Sequence, residues 1–269
     1  MSSRKFLVGG NWKMNGSNAM VSQITGRLLA ATQGTNAISL KEVQVVIAPP
    51  AAYLTLTKEA VSSVPEIQVA CQNVHSCASG AFTGEMSADM LLDLGIQWTL
   101  LGHSERRQHF AEDDALIGKK CQYALQRGLQ VILCIGERLE QRESGQTDQV
   151  IRSQLDACLA GLQACMATGT VDLAQQLAIA YEPVWAIGTG KVATPEQAQQ
   201  AHEVVRAWMA EKLTPELAQA IRVIYGGSVT GDNCVELAGQ PDIDGFLVGG
   251  ASLKADFIEI IRSMANKHH

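Results

Sequence analysis

Charge is scarce in this sequence: 18% of its 269 residues are Asp, Glu, Lys or Arg, against roughly 25% in an ordinary globular chain. That shortage suits a fold with a large, doubly covered parallel sheet. The formal net charge is −6, and no Lys/Arg run forms a basic stripe, which excludes a nucleic-acid surface. Any anionic ligand must therefore be held locally, by one or two lysines and by backbone amides. Long apolar runs are missing as well. No stretch approaches the roughly 20 apolar residues of a membrane span, and the N-terminal run Phe6 to Val8 is too short for a signal peptide. Seven cysteines (Cys71, Cys77, Cys121, Cys134, Cys158, Cys165 and Cys234) are scattered without a CxxC pair. Neither a disulfide framework nor a zinc site is expected, and the reading is a cytoplasmic protein with reduced thiols. No Pro/Gly/Ser-rich linker or composition shift marks a second domain, so residues 1–269 are expected to form one unit. His268 and His269 read as the remnant of a purification tag.

What is present is a repeated alternation. Eight short apolar, β-branched runs lie near 5–10, Val43–Ala48, Ile67–Cys71, Trp98–Leu101, Gln130–Ile135, 178–182, Arg222–Tyr225 and Gly245–Val248. They are continuous rather than alternating, as in parallel strands buried on both faces. Between them fall helix candidates near 17–32, 51–64, 113–127, 148–167, 194–213 and 255–265, and Thr194-Pro195-Glu196 fits an N-cap with proline at the first helical position. Residues 33–42 and 168–176 read as loops. Eight strand–helix alternations predict a (β/α)8 barrel, with a doubly wound open sheet as the alternative.

In such barrels the chemistry sits just past the C-terminal ends of the strands. Those positions hold Asn11 and Lys13 after strand one, Gln72 and Asn73 after strand three, and His103, Ser104 and Glu105 after strand four. Glu182 follows strand six, Gly226-Gly227-Ser228 strand seven, and Gly249-Gly250 strand eight. One glycine pair alone is a turn. Two at the same end of adjacent strands, leading into helix N-termini, make a phosphate site. His103 precedes a helix start, whose positive end disfavours the imidazolium, so it reads as a neutral donor to a carbonyl oxygen or as a strand-capping histidine. Lys13 stands where a phosphate needs a counter-charge, though a surface lysine would look the same. Glu182 closes an apolar wall, where burial is expected to raise its pKa towards that of a useful base. The segment after it, Pro183, Val184, Trp185, Ala186, Ile187, Gly188, Thr189, Gly190 and Lys191, has a rigid start, an apolar body and a glycine-containing end, as a lid over about 183–192 requires.

The blocks NWKMN (11–15), CQNV (71–74), GAFTGE (80–85), LGHSERR (101–107), CIGE (134–137), YEPVWAIGTGK (181–191), YGGSV (225–229) and DIDGFLVGGASL (242–253) occur in order along the chain. Together they resemble the triosephosphate isomerases. The resemblance implies a single-domain TIM barrel that interconverts dihydroxyacetone phosphate and glyceraldehyde 3-phosphate, a step of glycolysis and gluconeogenesis, with no metal or organic cofactor. It implies Glu182 as the base, His103 polarising the carbonyl, and Asn11 and Lys13 stabilising the enediolate. Amides of Gly188, Ser228, Gly249 and Gly250 would hold the phosphate, with Glu105 behind Lys13. It further implies a homodimer through a loop at about 72–87 involving Gln72, Thr83, Glu85 and Arg106, with Thr83 at the tip and a pairing of Glu85 with Arg106 as a brace. Two positions depart from the family pattern: His75 replaces an aromatic residue, and Val192 replaces a small hydroxyl residue after Lys191.

Overall fold

In the computed structural model, which describes residues 4–186 and 192–265, eight parallel strands close on themselves in sequence order. They are β1 (Phe6–Asn11), β2 (Val43–Ala48), β3 (Ile67–Cys71), β4 (Trp98–Leu101), β5 (Gln130–Ile135), β6 (Leu177–Tyr181), β7 (Arg222–Tyr225) and β8 (Gly245–Val248). Only the first and sixth differ from the expected bounds, each by one residue. The ring closes where β8 pairs with β1, Leu7 opposite Gly245.

The helices among the described residues are α1 (Asn18–Ala31), α2 (Leu54–Val61), α3 (Ala88–Asp93), α4 (Ser104–Phe110), α5 (Asp114–Arg127) and α6 (Leu139–Glu143), then α7 (Thr147–Thr168), α8 (Leu173–Gln176), α9 (Pro195–Lys212), α10 (Pro215–Ala220), α11 (Cys234–Ala238) and α12 (Asp256–Ala265). Their starts follow local chemistry. Ser17 caps α1 by accepting the Met20 N–H, Asp113 caps α5 at Leu116, and Thr194 with Gln197 forms a reciprocal capping box ahead of Pro195. The short helices carry too few turns to leave a clear apolar period, and α8 lies inside a segment expected to be loop. Its Asp172 cap, accepting the Ala174 N–H, is enough to turn the chain once before β6.

Strand parity divides the core in two. Leu7, Val46, Ala48, Ala70, Trp98, Leu100, Ile132, Cys134, Ala178, Ala180, Ile224 and Leu247 form one buried cluster, filling the barrel interior. The alternate residues, such as Val45, Ile47, Leu133 and Ile179, pack outward against the helices. Because side chains alternate along a strand, Ala178 and Ala180 put Glu182 on the inward register, and Leu7 does the same for Asn11. At the opposite end the inward register carries Gln44, Gln68, Trp98 and Arg222. There Arg222 donates to Gln44 Oε1 at 2.6 Å, Gln44 donates to Gln68 Oε1 at 2.8 Å, and the Trp98 indole donates to the same oxygen at 2.6 Å. Nearby, Asp244 accepts from Arg4 at 2.6 Å, from the Val223 amide at 2.8 Å and from Arg206.

All seven cysteines are free. No helix among the described residues is long and apolar enough to cross a membrane.

Candidate functional site

A cavity of about 360 Å³ opens at the C-terminal mouth, lined by Asn11, Lys13, His103, Glu182, Gly226, Gly227, Ser228, Gly249 and Gly250. Most of the residues chosen from strand ends therefore converge on one space, whereas Gln72, Asn73, Ser104 and Glu105 stand outside its lining. Lys13 enters through a main chain at φ 53°, an uncommon conformation for a residue with a side chain. Two neighbours hold it there. Asn11 Oδ1 accepts the Lys13 N–H at 2.9 Å, and the Gln72 amide donates to the Lys13 carbonyl at 2.8 Å and to Ala48 O at 2.9 Å. Gln72, expected at a dimer interface, thus serves the site within its own chain. The Lys13 ammonium reaches Glu105 Oε1 at 2.7 Å, and its stem passes Gly249, where an added Cβ would stand 3.6 Å from Lys13 Cε.

His103 caps α4: its Nδ1 accepts the Glu105 N–H at 3.3 Å. An accepting Nδ1 leaves the ring proton on Nε2. That Nε2 lies 3.0 Å from Glu182 Oε1, and Glu182 Oε2 accepts the Ser104 amide at 2.9 Å. The pairing reverses the electrostatics expected for each residue alone. Burial pushes the Glu182 carboxyl up, but His103 and the Ser104 amide outweigh it and hold the pKa below the ordinary glutamate value. Burial pulls the His103 imidazole down, and the Glu182 carboxylate outweighs that, leaving its pKa raised. The expected raised glutamate and disfavoured imidazolium are therefore not what this arrangement holds; Glu182 sits where its ionised form is favoured, against His103.

The main chain at Glu182 is fixed by glycines on both sides. An added Cβ at Gly136, just past β5, would lie 1.7 Å from the Glu182 carbonyl oxygen, and one at Gly226 would lie 3.0 Å from Glu182 Cγ. Gly136 has no room for even a methyl group, and at Gly226 one would fit only if the Glu182 side chain shifted. The two glycine turns at the cavity are less alike than expected. Gly249-Gly250 leads directly into a 3-10 turn, Gly250–Leu253, whereas α11 begins only at Cys234, well after Gly226-Gly227.

Reading strand ends for strands one, three, four, six, seven and eight misses Glu137, which follows β5. It is fully buried, and its Oε1 accepts from the Tyr181 hydroxyl at 3.0 Å, the Trp185 indole at 2.9 Å and Arg142 at 3.3 Å. Arg142 also stacks on the Trp185 ring at 4.7 Å. The first part of the expected lid is thus a 3-10 turn, Val184–Ala186, packed on the rim, with Trp185 and Ala186 buried. Ile187, Gly188, Thr189, Gly190 and Lys191 lie outside the described residues, and with them the proposed Gly188 phosphate contact.

The brace between Glu85 and Arg106 is not made within the chain. Arg106 instead pairs with Glu112 at 2.7 Å, where Lys120 also reaches the same oxygen at 2.7 Å. Both Glu112 and Lys120 are buried, so the better-shielded carboxylate wins the guanidinium. Thr83 is exposed near the tip of its loop, and His75 stacks on Phe82 at 4.0 Å, doing with an imidazole what an aromatic ring would do. Among the described residues no group of three or more His, Cys, Asp or Glu side chains could hold a metal ion.

Comparison with known proteins agrees with this geometry. The family model described as triosephosphate isomerase matches residues 6–264. The chain is also similar to the cytosolic triosephosphate isomerase of rice (Oryza sativa subsp. japonica), with 51% identity over 264 residues, 98% of each chain.

Proposed function

Because the chain belongs to the triosephosphate isomerase family, and so interconverts dihydroxyacetone phosphate and D-glyceraldehyde 3-phosphate, we propose that Glu182 is the base that moves the proton. The observation that carries this is its position: a buried carboxylate on the inward register at the mouth, 3.0 Å from the His103 Nε2 and in one cavity with two glycine turns. In the forward step Glu182 takes a proton from C1 of dihydroxyacetone phosphate. The C1–H electrons form the C1–C2 double bond, and the carbonyl electrons move onto oxygen to give an enediolate. The hydroxyl proton then passes from O1 to O2, the C1=O bond forms, and the C1–C2 electrons take the proton back from Glu182 at C2, so one carboxylate serves both carbons and no electron acceptor is required.

The resting contacts support a division of labour. The substrate oxygen takes the place that Glu182 holds on His103, so the Nε2–H that now faces a carboxylate comes to face the carbonyl oxygen. Freed from His103 and the Ser104 amide, Glu182 loses the main contacts that hold its pKa down while burial still pushes it up, which makes it a stronger base. Lys13 and Asn11 lie on the same side and stabilise the negative oxygen. The main-chain amides of Ser228, Gly249 and Gly250, which line the cavity, take the phosphate, with Glu105 orienting Lys13.

Glu182→Asp tests the base. Shortening the side chain withdraws the carboxylate by more than an ångström, and kcat should fall about a hundredfold or more while a phosphate-bearing analogue still binds. Turnover at the wild-type level would remove Glu182 from the mechanism.

The assembly we propose is a homodimer through residues 72–87, acting in the cytoplasm. Exposed Phe82 and Met14, at 47% and 96% accessibility, support an apolar contact there. Sedimentation of Thr83→Glu should show a weaker dimer; an unaltered dimer counts against this loop.

A further inference from the structure

The mouth cavity extends past the residues given a chemical task above, to Val229, Thr230, Ala251, Lys254 and Asp256. Of these, Lys254 stands out electrostatically. A triose phosphate approaches neutral pH close to a dianion, and it meets a chain of net charge −6. Inside the cavity two ammonium groups, Lys13 and Lys254, face two carboxylates, Glu182 and Asp256. Glu105 then covers the Lys13 ammonium at 2.7 Å. The resting mouth therefore offers little attraction through Lys13. Lys254 is different. It is exposed, and no carboxylate lies within ion-pair distance of its ammonium among the described residues. Its main chain is held from both sides: its N–H reaches Ala251 O at 3.1 Å at the end of the 3-10 turn, and its carbonyl accepts the Phe257 N–H at 3.3 Å in the first turn of α12. A free charge on a fixed base at the rim of a low-dielectric cleft focuses the field along the entry path.

We propose that Lys254 is the steering cation of this site, a residue that draws the phosphate into the cavity without taking part in proton transfer. The inference rests on the isomerase reading. Its effect belongs to encounter, so it appears in kcat/KM and not in kcat. A unit charge about 10 Å from a dianion in water corresponds to about a fourfold effect on encounter. Screening removes most of it between ionic strengths of about 0.01 M and 0.15 M, as the Debye length shrinks from about 30 Å to about 8 Å.

The test is steady-state kinetics of the full chain at both ionic strengths, for the wild type, Lys254→Gln, Lys254→Arg and Asp256→Asn. Lys254→Gln should lose about fourfold in kcat/KM at low salt and less than twofold at high salt, with kcat within twofold of wild type. Lys254→Arg should restore the low-salt value, and Asp256→Asn should raise it. A Lys254→Gln loss of equal size at both salts would make the lysine a contact residue and overturn the proposal. So would an unchanged low-salt kcat/KM, or failure of arginine to rescue. A wild-type chain without turnover would overturn the isomerase reading instead. Steering would then be measured from the association rate of 2-phosphoglycolate, with the same salt dependence expected and its absence equally fatal.

Discussion

At the floor of the barrel Arg222, Gln44, Gln68 and Trp98 hydrogen-bond to one another in a chain, and Asp244 collects Arg4, Arg206 and a backbone amide. At the mouth Asn11, ending β1, and Glu182, just past β6, occupy the same inward register but face a cavity. The floor satisfies its polar atoms internally; the mouth holds its carboxylate with contacts that a substrate can replace. Inward polarity in a barrel is thus neutral as to purpose. What separates structure from chemistry is whether the partners are other side chains or space. Among the described residues, the two non-glycine residues with a left-handed backbone divide the same way. Lys13, at φ 53°, is held by Asn11 and Gln72 so that its ammonium reaches the cavity, while Ala111, also at φ 53°, merely ends α4.

The comparison breaks most visibly at the floor. Asp244→Ala leaves Arg4, Arg206 and the Val223 amide without their acceptor, and breaking a buried pair of this kind costs about 3–5 kcal/mol. Urea unfolding should register that loss, while kcat of the folded protein stays at the wild-type value. A fall in kcat with stability intact would mean that floor and mouth are coupled.

A smaller effect comes from the shell around the barrel. His202 in α9 is fully buried, with Nδ1 3.0 Å from Asp242 O and its ring edge-on to Tyr181, and burial holds its pKa down at about 4. In the unfolded chain it titrates near 6.5. Between these values the unfolded state binds the extra proton, so stability is complete above pH 6.5 and declines as pH falls towards 4. At pH 5 the loss relative to pH 7 should be about 2 kcal/mol. The His202→Gln variant should lack this dependence, and an identical pH slope in both proteins would refute the assignment. The smallest change concerns Ala111. Replacing it with glycine relieves the left-handed backbone, and the gain should be about 0.5–1 kcal/mol in urea unfolding, with kinetics untouched. A destabilised Ala111→Gly would show that the methyl group packs better than its backbone suggests.

Much of this was legible beforehand, for physical reasons that differ by element. Strands buried on both faces are continuous apolar runs, and six of the eight bounds could be read directly. Helices of four to seven residues, such as α8 and α4, are too short for a period to show, and their caps alone carry the signal. The site was readable because strand ends are places where function concentrates in a barrel. The pKa directions of Glu182 and His103 were not readable, because each depends on a contact between residues 79 positions apart. Arg106 turned to Glu112 for the same reason: burial decides between two carboxylates, and burial is a property of the fold. Glu137 could have been found by extending the strand-end rule to strand five.

Gly136 carries a consequence for how this sequence can drift. A position where the smallest side chain would strike the Glu182 carbonyl has no conservative replacement, because any side chain added there acts on residue 182 as well. A saturation library at 136 would amount to a ruler for catalytic geometry. Activity should fall with each atom added, while libraries at exposed neighbours such as Arg138 stay nearly flat. In a redesign of this scaffold, the hydrogen atom at position 136 would need to be specified as firmly as the carboxylate at 182.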